Sequence, residues 1–287
     1  MVYHHPLAYL IGMEGLALLR AWAGDYDETF VTARLAEVRA LLDDETLTHH
    51  PGVLVESGAT STAYRQWSGT YDVAGNGLFD LDEPVLDEII DTLPTGIAVD
   101  AACGTGRLAS RLLQRGHHVI GVDNCVEMLE HARVRLPDTA LLVGDVHRLP
   151  FVSDHVDLVV SGLALTHVAD LKLVFTEFAR VLRPGGHLLI SDVHPELAMR
   201  GSVPKAVGPH GQAQLAACHR HTVGDYLRAG LATGFSVRRC EEQPPRSAPD
   251  PQERQSVTAP SPRPDAGSWQ QWPWTLLDLV PEATRAA

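Results

Sequence analysis

The sequence is poor in cysteine and shows no pattern among the cysteines it has. Cys103, Cys125, Cys218 and Cys240 lie far apart, with no Cys-x-x-Cys pair. That excludes a dense disulfide framework and fits reduced thiols in a cytosol better than a secreted scaffold. Concentrated positive charge is also missing. The formal net charge is −13, and the small basic clusters, Arg133 with Arg135 and Arg238 with Arg239, sit among acids. An acidic surface repels phosphate backbones, so no nucleic-acid partner is expected. Long apolar runs are missing too. The stretch from Leu7 to Leu19 is broken by Glu14 and falls short of the roughly 20 residues a membrane helix needs. The N-terminus lacks the basic-then-apolar plan of a signal peptide. The expectation is a cytoplasmic protein with no membrane partner and no internal repeats.

What is present is a chain of 287 residues, 45% of them apolar, enough for a sizeable core. It divides into three regions. Residues 1–81 read as an N-terminal helical extension. Pro6 starts a helix running to Ala23, with Leu7, Leu10, Ile11, Leu18 and Leu19 on one face. Asp25 followed by Glu28 reads as a capping box for the next helix. Residues 52–62 read as a loop, and Tyr64, Trp67 and Tyr71 follow it. Residues 82–243 alternate strand and helix patterns. Asp82 reads as a helix cap with Pro84 in the first turn. The strands are Ile97–Ala101, His118–Val122, Ala140–Val143, Val156–Ser161, His187–Asp192 and Phe235–Cys240. This predicts a Rossmann-like, doubly wound α/β fold, a mostly parallel sheet covered on both faces. Residues 194–221, rich in Gly and His, are an insertion placed to cap the sheet. Residues 244–287 read as a Pro-rich loop and a C-terminal segment, of which Trp269–Val280 is apolar enough to dock back.

The most informative segment is the turn from Asp100 to Gly106. Its glycines, Gly104 and Gly106, permit a sharp turn and close approach of backbone to a ligand. The helix beyond it offers free N–H groups. Gly104 to Ala109 also spells the dinucleotide fingerprint Gly-x-Gly-x-x-Ala, so the turn alone leaves NAD open. Asp100 places a carboxylate beside the turn, which suits a cationic ligand group and not a pyrophosphate. S-adenosylmethionine has an aminoacyl tail and no phosphate. Asp123 closes the second strand, where a carboxylate can accept hydrogen bonds from both ribose hydroxyls. Gly144-Asp145-Val146 closes the third, where an acid and an apolar residue can hold an adenine amine and cover its ring. Ligands bind at such strand ends in open α/β sheets.

These segments together resemble class I S-adenosylmethionine-dependent methyltransferases, in the UbiE-like and type 11 group. The matching stretches are Val99 to Arg107, Gly121 to Asp123 with Glu127 to Leu129, Gly144-Asp145 with Leu149-Pro150, and Leu182 to His187. The resemblance runs from about Tyr64 to Cys240. It implies S-adenosyl-L-methionine as cofactor, held by Asp100, Ala102, Gly104, Gly106, Asp123, Asn124, Met128, Gly144, Asp145, Val146 and Ser161. It also implies an aromatic segment closing over the cofactor, where Trp67 and Tyr71 stand; packing within a helix is their other reading. The sequence departs from the family at Asn124-Cys125, where a Ser-Pro-like pair is usual. It departs again at the end of the sheet, where no convincing seventh strand follows Cys240.

Methyl transfer is an in-line displacement at a sulfonium carbon, so the protein mainly aligns the nucleophile and excludes water. A base helps when the nucleophile carries a proton. His167, just past the fourth strand, is the candidate, since histidine titrates near physiological pH; packing beside the cofactor is the alternative. The segment lacks the Asn/Asp-Pro-Pro-Tyr/Phe signature of enzymes that methylate nucleic-acid amines. His194 and His221 are candidates for lining the substrate pocket, as are Tyr3 and His4 if the N-terminal helices fold over it. Those helices are alternatively a homodimer contact. His210, His219 and Cys218 lie nearby, but their spacing follows no standard zinc pattern, and no metal is expected. The expected function is methyl transfer to an O, N or C nucleophile of a small molecule in secondary metabolism. A methyltransferase of a peptide terminus, a cyclase that keeps the cofactor without methylating, and an NAD-dependent oxidoreductase stay open.

Overall fold

The structure is a computed structural model that describes residues 1–72, 79–199, 205–207, 213–242 and 274–281. Strand β1 (Val2–His4) leads into helix α1 (Pro6–Trp22), with Pro6 in its first turn. Helix α2 (Glu28–Asp43) packs against α1. The cap of α2 is Asp27, whose carboxylate accepts from the Phe30 N–H at 2.9 Å, satisfying one open donor of the first turn. Asp25 is not part of a capping box; it pairs with Arg20. After α3 (Glu45–Thr48) come β2 (Val53–Gly58) and α4 (Thr60–Trp67). Residues 52–62 are thus a strand and the start of a helix, not a loop.

The alternating part follows the sequence pattern closely. It runs α5 (Phe79–Ile90), β3 (Ile97–Ala101), α6 (Arg107–Gln114), β4 (His118–Asp123), α7 (Val126–Arg135), β5 (Ala140–Val143) and β6 (Val156–Gly162). A 3-10 turn at Leu165–His167, α8 (Leu171–Val181) and β7 (Leu182–Val193) come next. Then follow α9 (Pro195–Met199), β8 (Lys205–Val207), β9 (Ala213–Ala216), α10 (Val223–Ala232), β10 (Phe235–Glu242) and β11 (Trp274–Pro281). Helix α10 opens on a capping box between Thr222 and Asp225. Pro84 lies inside α5, which starts ahead of Asp82, so Asp82 is not its cap.

The main sheet has the order β10-β11-β7-β6-β3-β4-β5. Strands β7, β6, β3, β4 and β5 are parallel, and β11 is antiparallel to both neighbours. A seventh strand therefore exists and comes from the C-terminal segment, inserted between β10 and β7. The boundary drawn at residue 243 cuts through neighbouring strands of one sheet. The first boundary is equally porous, because β1 and β2 join β9 and β8 in a second sheet of order β1-β2-β9-β8. The N-terminal extension and the insertion 194–221 build this sheet together, β2 pairing in parallel with β9.

Two apolar layers sandwich the main sheet. On one side Phe175, Phe178, Tyr226 and Phe235 pack with Val159, Leu188 and Leu277. On the other, Leu86, Ile90, Leu108 and Leu112 pack with Ala98, Leu158 and Leu276. Helices α5 and α6 are also laced by ion pairs at helical spacing. Arg107 meets Asp82 and Glu83, Arg111 meets Glu83 and Asp87, and Arg115 meets Asp87 and Asp91. Among the described residues no helix is long and apolar enough to cross a membrane.

Candidate active site

The chain runs outward from β3 to β4 and β5 on one side and to β6 and β7 on the other, so the order reverses between β3 and β6. Open α/β sheets bind ligands at the carboxyl ends of strands beside such a reversal. A cavity of about 280 Å³ lies there, just under the range usual for small-molecule sites, about 300–1,000 Å³. Its walls are the residues following four parallel strands: Ala102 and Gly104 after β3, Asp123 to Cys125 at β4, Gly144 to His147 after β5, and Gly162 to Leu165 after β6. Thr60, Ser61, Tyr64 and Tyr71 close it from the N-terminal extension.

The turn after β3 is held in left-handed backbone. Ala102, Gly104 and Gly106 have φ of 62°, 54° and 79°, which glycine adopts without cost and alanine does not. A Cβ on Gly104 would stand 3.2 Å from the Met128 methyl, so a side chain there would crowd the cradle as well as strain the turn. Asp123 fixes the turn from the next strand: its carboxylate accepts from the Gly104 N–H at 2.7 Å and from the Cys125 N–H at 2.8 Å. Burial raises its pKa against these bonds. Asp145 lies at the rim and accepts from the N–H and ring of His147 at 2.8 and 2.6 Å. Partial burial opposes its ionisation, and those bonds outweigh it, holding its carboxyl below the usual range. Among the described residues the lining carries two carboxylates and no Arg or Lys. That charge balance fits a cationic sulfonium ligand with ribose hydroxyls and an amine, and it opposes a pyrophosphate.

Residues 99–190 match the family described as a methyltransferase domain. The chain carries a class I, S-adenosylmethionine-dependent methyltransferase domain. Malonyl-acyl-carrier-protein O-methyltransferase of Yersinia pestis is 32% identical over 142 residues, 49% of this chain and 52% of that protein. The chain spans about half or less of the length of the first curated relatives it matches. An S-adenosylmethionine-dependent methyltransferase from Mesorhizobium loti is 25% identical, with TM-score 0.52, over 71% of this chain and 99% of that one. The 4+2 cyclase SpnF shares the fold at 16% identity and TM-score 0.55, over 80% of this chain and 100% of that one.

The methyltransferase domain brings some of the expected site residues to the cavity and ties others elsewhere. Ala102, Gly104, Asp123, Asn124, Met128, Gly144, Asp145, Val146, Tyr71 and His167 line it. Asp100 is not in the lining. It is 1% exposed and accepts from the Ala109 N–H at 2.8 Å, joining the end of β3 to α6. Gly106 caps α6, and Ser161 is buried with its hydroxyl unpartnered. Trp67 packs against Ala63 and Ala216, beneath the second sheet. His194 is outside the lining and bonds Glu242 at 2.7 Å. His221 is also outside it, bonded to the Val168 carbonyl at 2.6 Å. Tyr3 and His4 belong to β1, with the Tyr3 hydroxyl donating to the Pro51 carbonyl. His210 lies outside the described residues. Among those described, no cluster of His, Cys, Asp and Glu is arranged to hold a metal ion.

Sequence reasoning missed two parts of the site. In sequence Tyr64 is one of several aromatics, yet its hydroxyl lies 3.0 Å from His167 Nε2. Asp72, Thr105 and Arg135 form a latch outside the turn. Thr105 donates to Asp72 at 2.9 Å, and Arg135 donates to the Thr105 carbonyl and to Asp72 at 2.9 and 2.8 Å. The latch fixes the segment carrying Tyr71 to the glycine turn.

Burial pushes the Asp100 carboxyl up to about 7, with the Ala109 N–H and Arg107 pulling the other way. In the unfolded chain it titrates near 3.9. The folded form therefore holds the extra proton between those values, and this contribution to stability is lost as pH rises from about 4 to about 7. Asp100→Asn should flatten that part of the profile; denaturant melts at pH 4.5 and 7.5 measure it. An unchanged difference between the two would show that Asp100 ionises freely.

Proposed function

We propose that this chain transfers a methyl group from S-adenosylmethionine to a small-molecule acceptor, in secondary metabolism. The observation that carries the reading is the pairing of the Gly104 cradle with two carboxylates, Asp123 and Asp145, facing one cavity. Asp123 and Asn124 would hold the ribose, and Asp145 and Val146 the adenine. Ala102 and Gly104 would face the methionine part over Met128, and Tyr71 would cover the cofactor. Bound there, S-adenosylmethionine supplies an electrophilic methyl on a sulfonium. The chain's own contribution is to align the acceptor, exclude water and take up a proton at His167 Nε2. The exposed Leu19 and Trp22 of α1 support a contact between two copies through the N-terminal helices.

Thermal melts test the reading. S-adenosylhomocysteine at about 100 times its Kd should stabilise the chain by about 2.7 kcal/mol, several degrees in Tm, and NAD should give no shift. Protection by NAD alone would sink it. Asp123→Ala removes the charge-assisted hydrogen bonds to the ribose, each contributing about 1.5–3 kcal/mol, and releases the Gly104 N–H. Calorimetry should therefore show cofactor affinity reduced about 100-fold or more.

A further inference from the structure

Three distant parts of the chain meet at one histidine. His167 comes from the turn after β6, Tyr64 from α4 in the N-terminal extension, and the Ala217 carbonyl from the residues after β9. The carbonyl lies 2.6 Å from His167 Nδ1. A carbonyl can only accept, so Nδ1 carries the proton and Nε2 presents its lone pair. The Tyr64 hydroxyl, 3.0 Å away, must then donate to Nε2. Its hydrogen is committed to the histidine, and what remains on the phenolic oxygen is acceptor capacity. Tyr64 and His167 both line the cavity. The rings meet edge to face, with centroids 5.3 Å apart, so the pair is fixed in orientation as well as distance.

From this geometry, and resting on the methyltransferase reading above, we infer that Tyr64 is the group that meets the acceptor. It relays the acceptor's proton to His167, and the acceptor's nucleophile is a hydroxyl and not a carboxylate. A hydroxyl has a hydrogen to give to the Tyr64 oxygen. A carboxylate brings only lone pairs and is repelled by it. As the acceptor oxygen forms its bond to the methyl carbon, the carbon–sulfur bond breaks and its electron pair stays on sulfur. The acceptor proton passes to the Tyr64 oxygen while the Tyr64 proton passes to Nε2. The imidazolium then releases one proton to solvent, and the pair returns to its starting state. The cap has a direct part in this, because its Ala217 carbonyl selects the tautomer that leaves Nε2 free to accept.

The electrostatic surroundings agree with that direction. Burial lowers the His167 pKa, the Ala217 carbonyl and the Asp192 carboxylate of β7 pull it up, and His219 lowers it further. Burial raises Tyr64 well above the usual phenol range, and neighbouring Tyr71, Asp192, Asp123 and Cys218 add to this. The resting pair is therefore neutral, with Tyr64 protonated and His167 able to receive.

The test uses nitrogen-15 NMR of the histidine rings in the full chain, with and without S-adenosylhomocysteine, using phenol and benzoate as probes. Wild type should show His167 with its proton on Nδ1. Tyr64→Phe should keep that tautomer and raise the His167 pKa, because a donor to the neutral form is lost. With S-adenosylhomocysteine bound, phenol should shift the His167 Nε2 resonance and benzoate should not, and Tyr64→Phe should remove the phenol effect. A proton on Nε2 in wild type, an unmoved pKa in Tyr64→Phe, no response to phenol, or a response to benzoate would each overturn the inference. Failure of S-adenosylhomocysteine to bind would instead sink the methyltransferase reading itself.

Discussion

A chain ending at residue 242 should fail to reach the native fold, although residues 99–190, which match the methyltransferase family, are retained in it. The reason is β11. It pairs with β7 from Trp274 opposite Val193 to Leu279 opposite Leu188, and with β10 from Thr275 opposite Glu242 to Pro281 opposite Phe235. Removing it strips one edge from each neighbour and leaves β10 with no sheet to join. Leu276, Leu277 and Leu279 are fully buried, Leu276 in one apolar layer and the other two in the opposite one. Each contributes about 1.5–3 kcal/mol by burial, so the three together approach the whole net stability of a domain, about 5–15 kcal/mol. Leu277→Ala, a milder change, should cost about 2–5 kcal/mol. Urea melts and a proton–nitrogen correlation spectrum of the truncated chain decide the matter. A cooperative transition at the wild-type midpoint would show that β11 is dispensable.

This strand also marks where reading the sequence stops working. The turn from Asp100 to Gly106 was legible because strand, glycines and helix follow one another within about ten residues. The parallel sheet was legible for the same reason, helices α5, α6, α7 and α8 each leading into a strand and only β6 following its predecessor through a loop. Strand β11 follows β10 only after residues 243–273, and nothing local to Trp274–Pro281 says which strand it joins. The second sheet is hidden likewise. Val53–Gly58 has strand-forming residues, but its partner Ala213–Ala216 lies some 160 residues on, and periodicity carries no information across that distance. Side-chain direction was the other blind spot. Asp100 sits in the right place in the chain, yet its carboxylate turns to the Ala109 N–H. His194 and His221 fall within the insertion as expected, but Glu242 and the Val168 carbonyl claim their rings. Tyr64 was one aromatic among several until the fold set it beside His167.

Arg107→Ala should be the most damaging single change near the glycine turn. Arg107 is the first residue of α6, directly after Gly106. Its guanidinium grips both Asp82 oxygens at 2.9 and 3.0 Å and Glu83 at 3.0 Å, and lies over the Phe79 ring. Asp82 is 0% exposed, and the Ser191 hydroxyl also donates to it, at 2.7 Å. Removing Arg107 strands a buried carboxylate, which costs about 3–5 kcal/mol. The pair itself need not be stabilising, because desolvation offsets much of its attraction. The double variant Arg107→Met with Asp82→Asn should therefore recover most of the loss, and a double-mutant cycle should give a coupling of at least about 2 kcal/mol. The outer end of the same ladder behaves differently. Arg115 pairs with the exposed Asp91, and Arg115→Ala should cost about 0–1 kcal/mol. Thermal melts of the three variants separate the cases. Equal losses for Arg107→Ala and Arg115→Ala would mean that burial of Asp82 is not what makes the inner pair indispensable. Cofactor affinity supplies a second reading of the same change. Arg107 anchors the helix start on which the turn rests, so Arg107→Ala should weaken S-adenosylhomocysteine binding while Arg115→Ala leaves it unchanged.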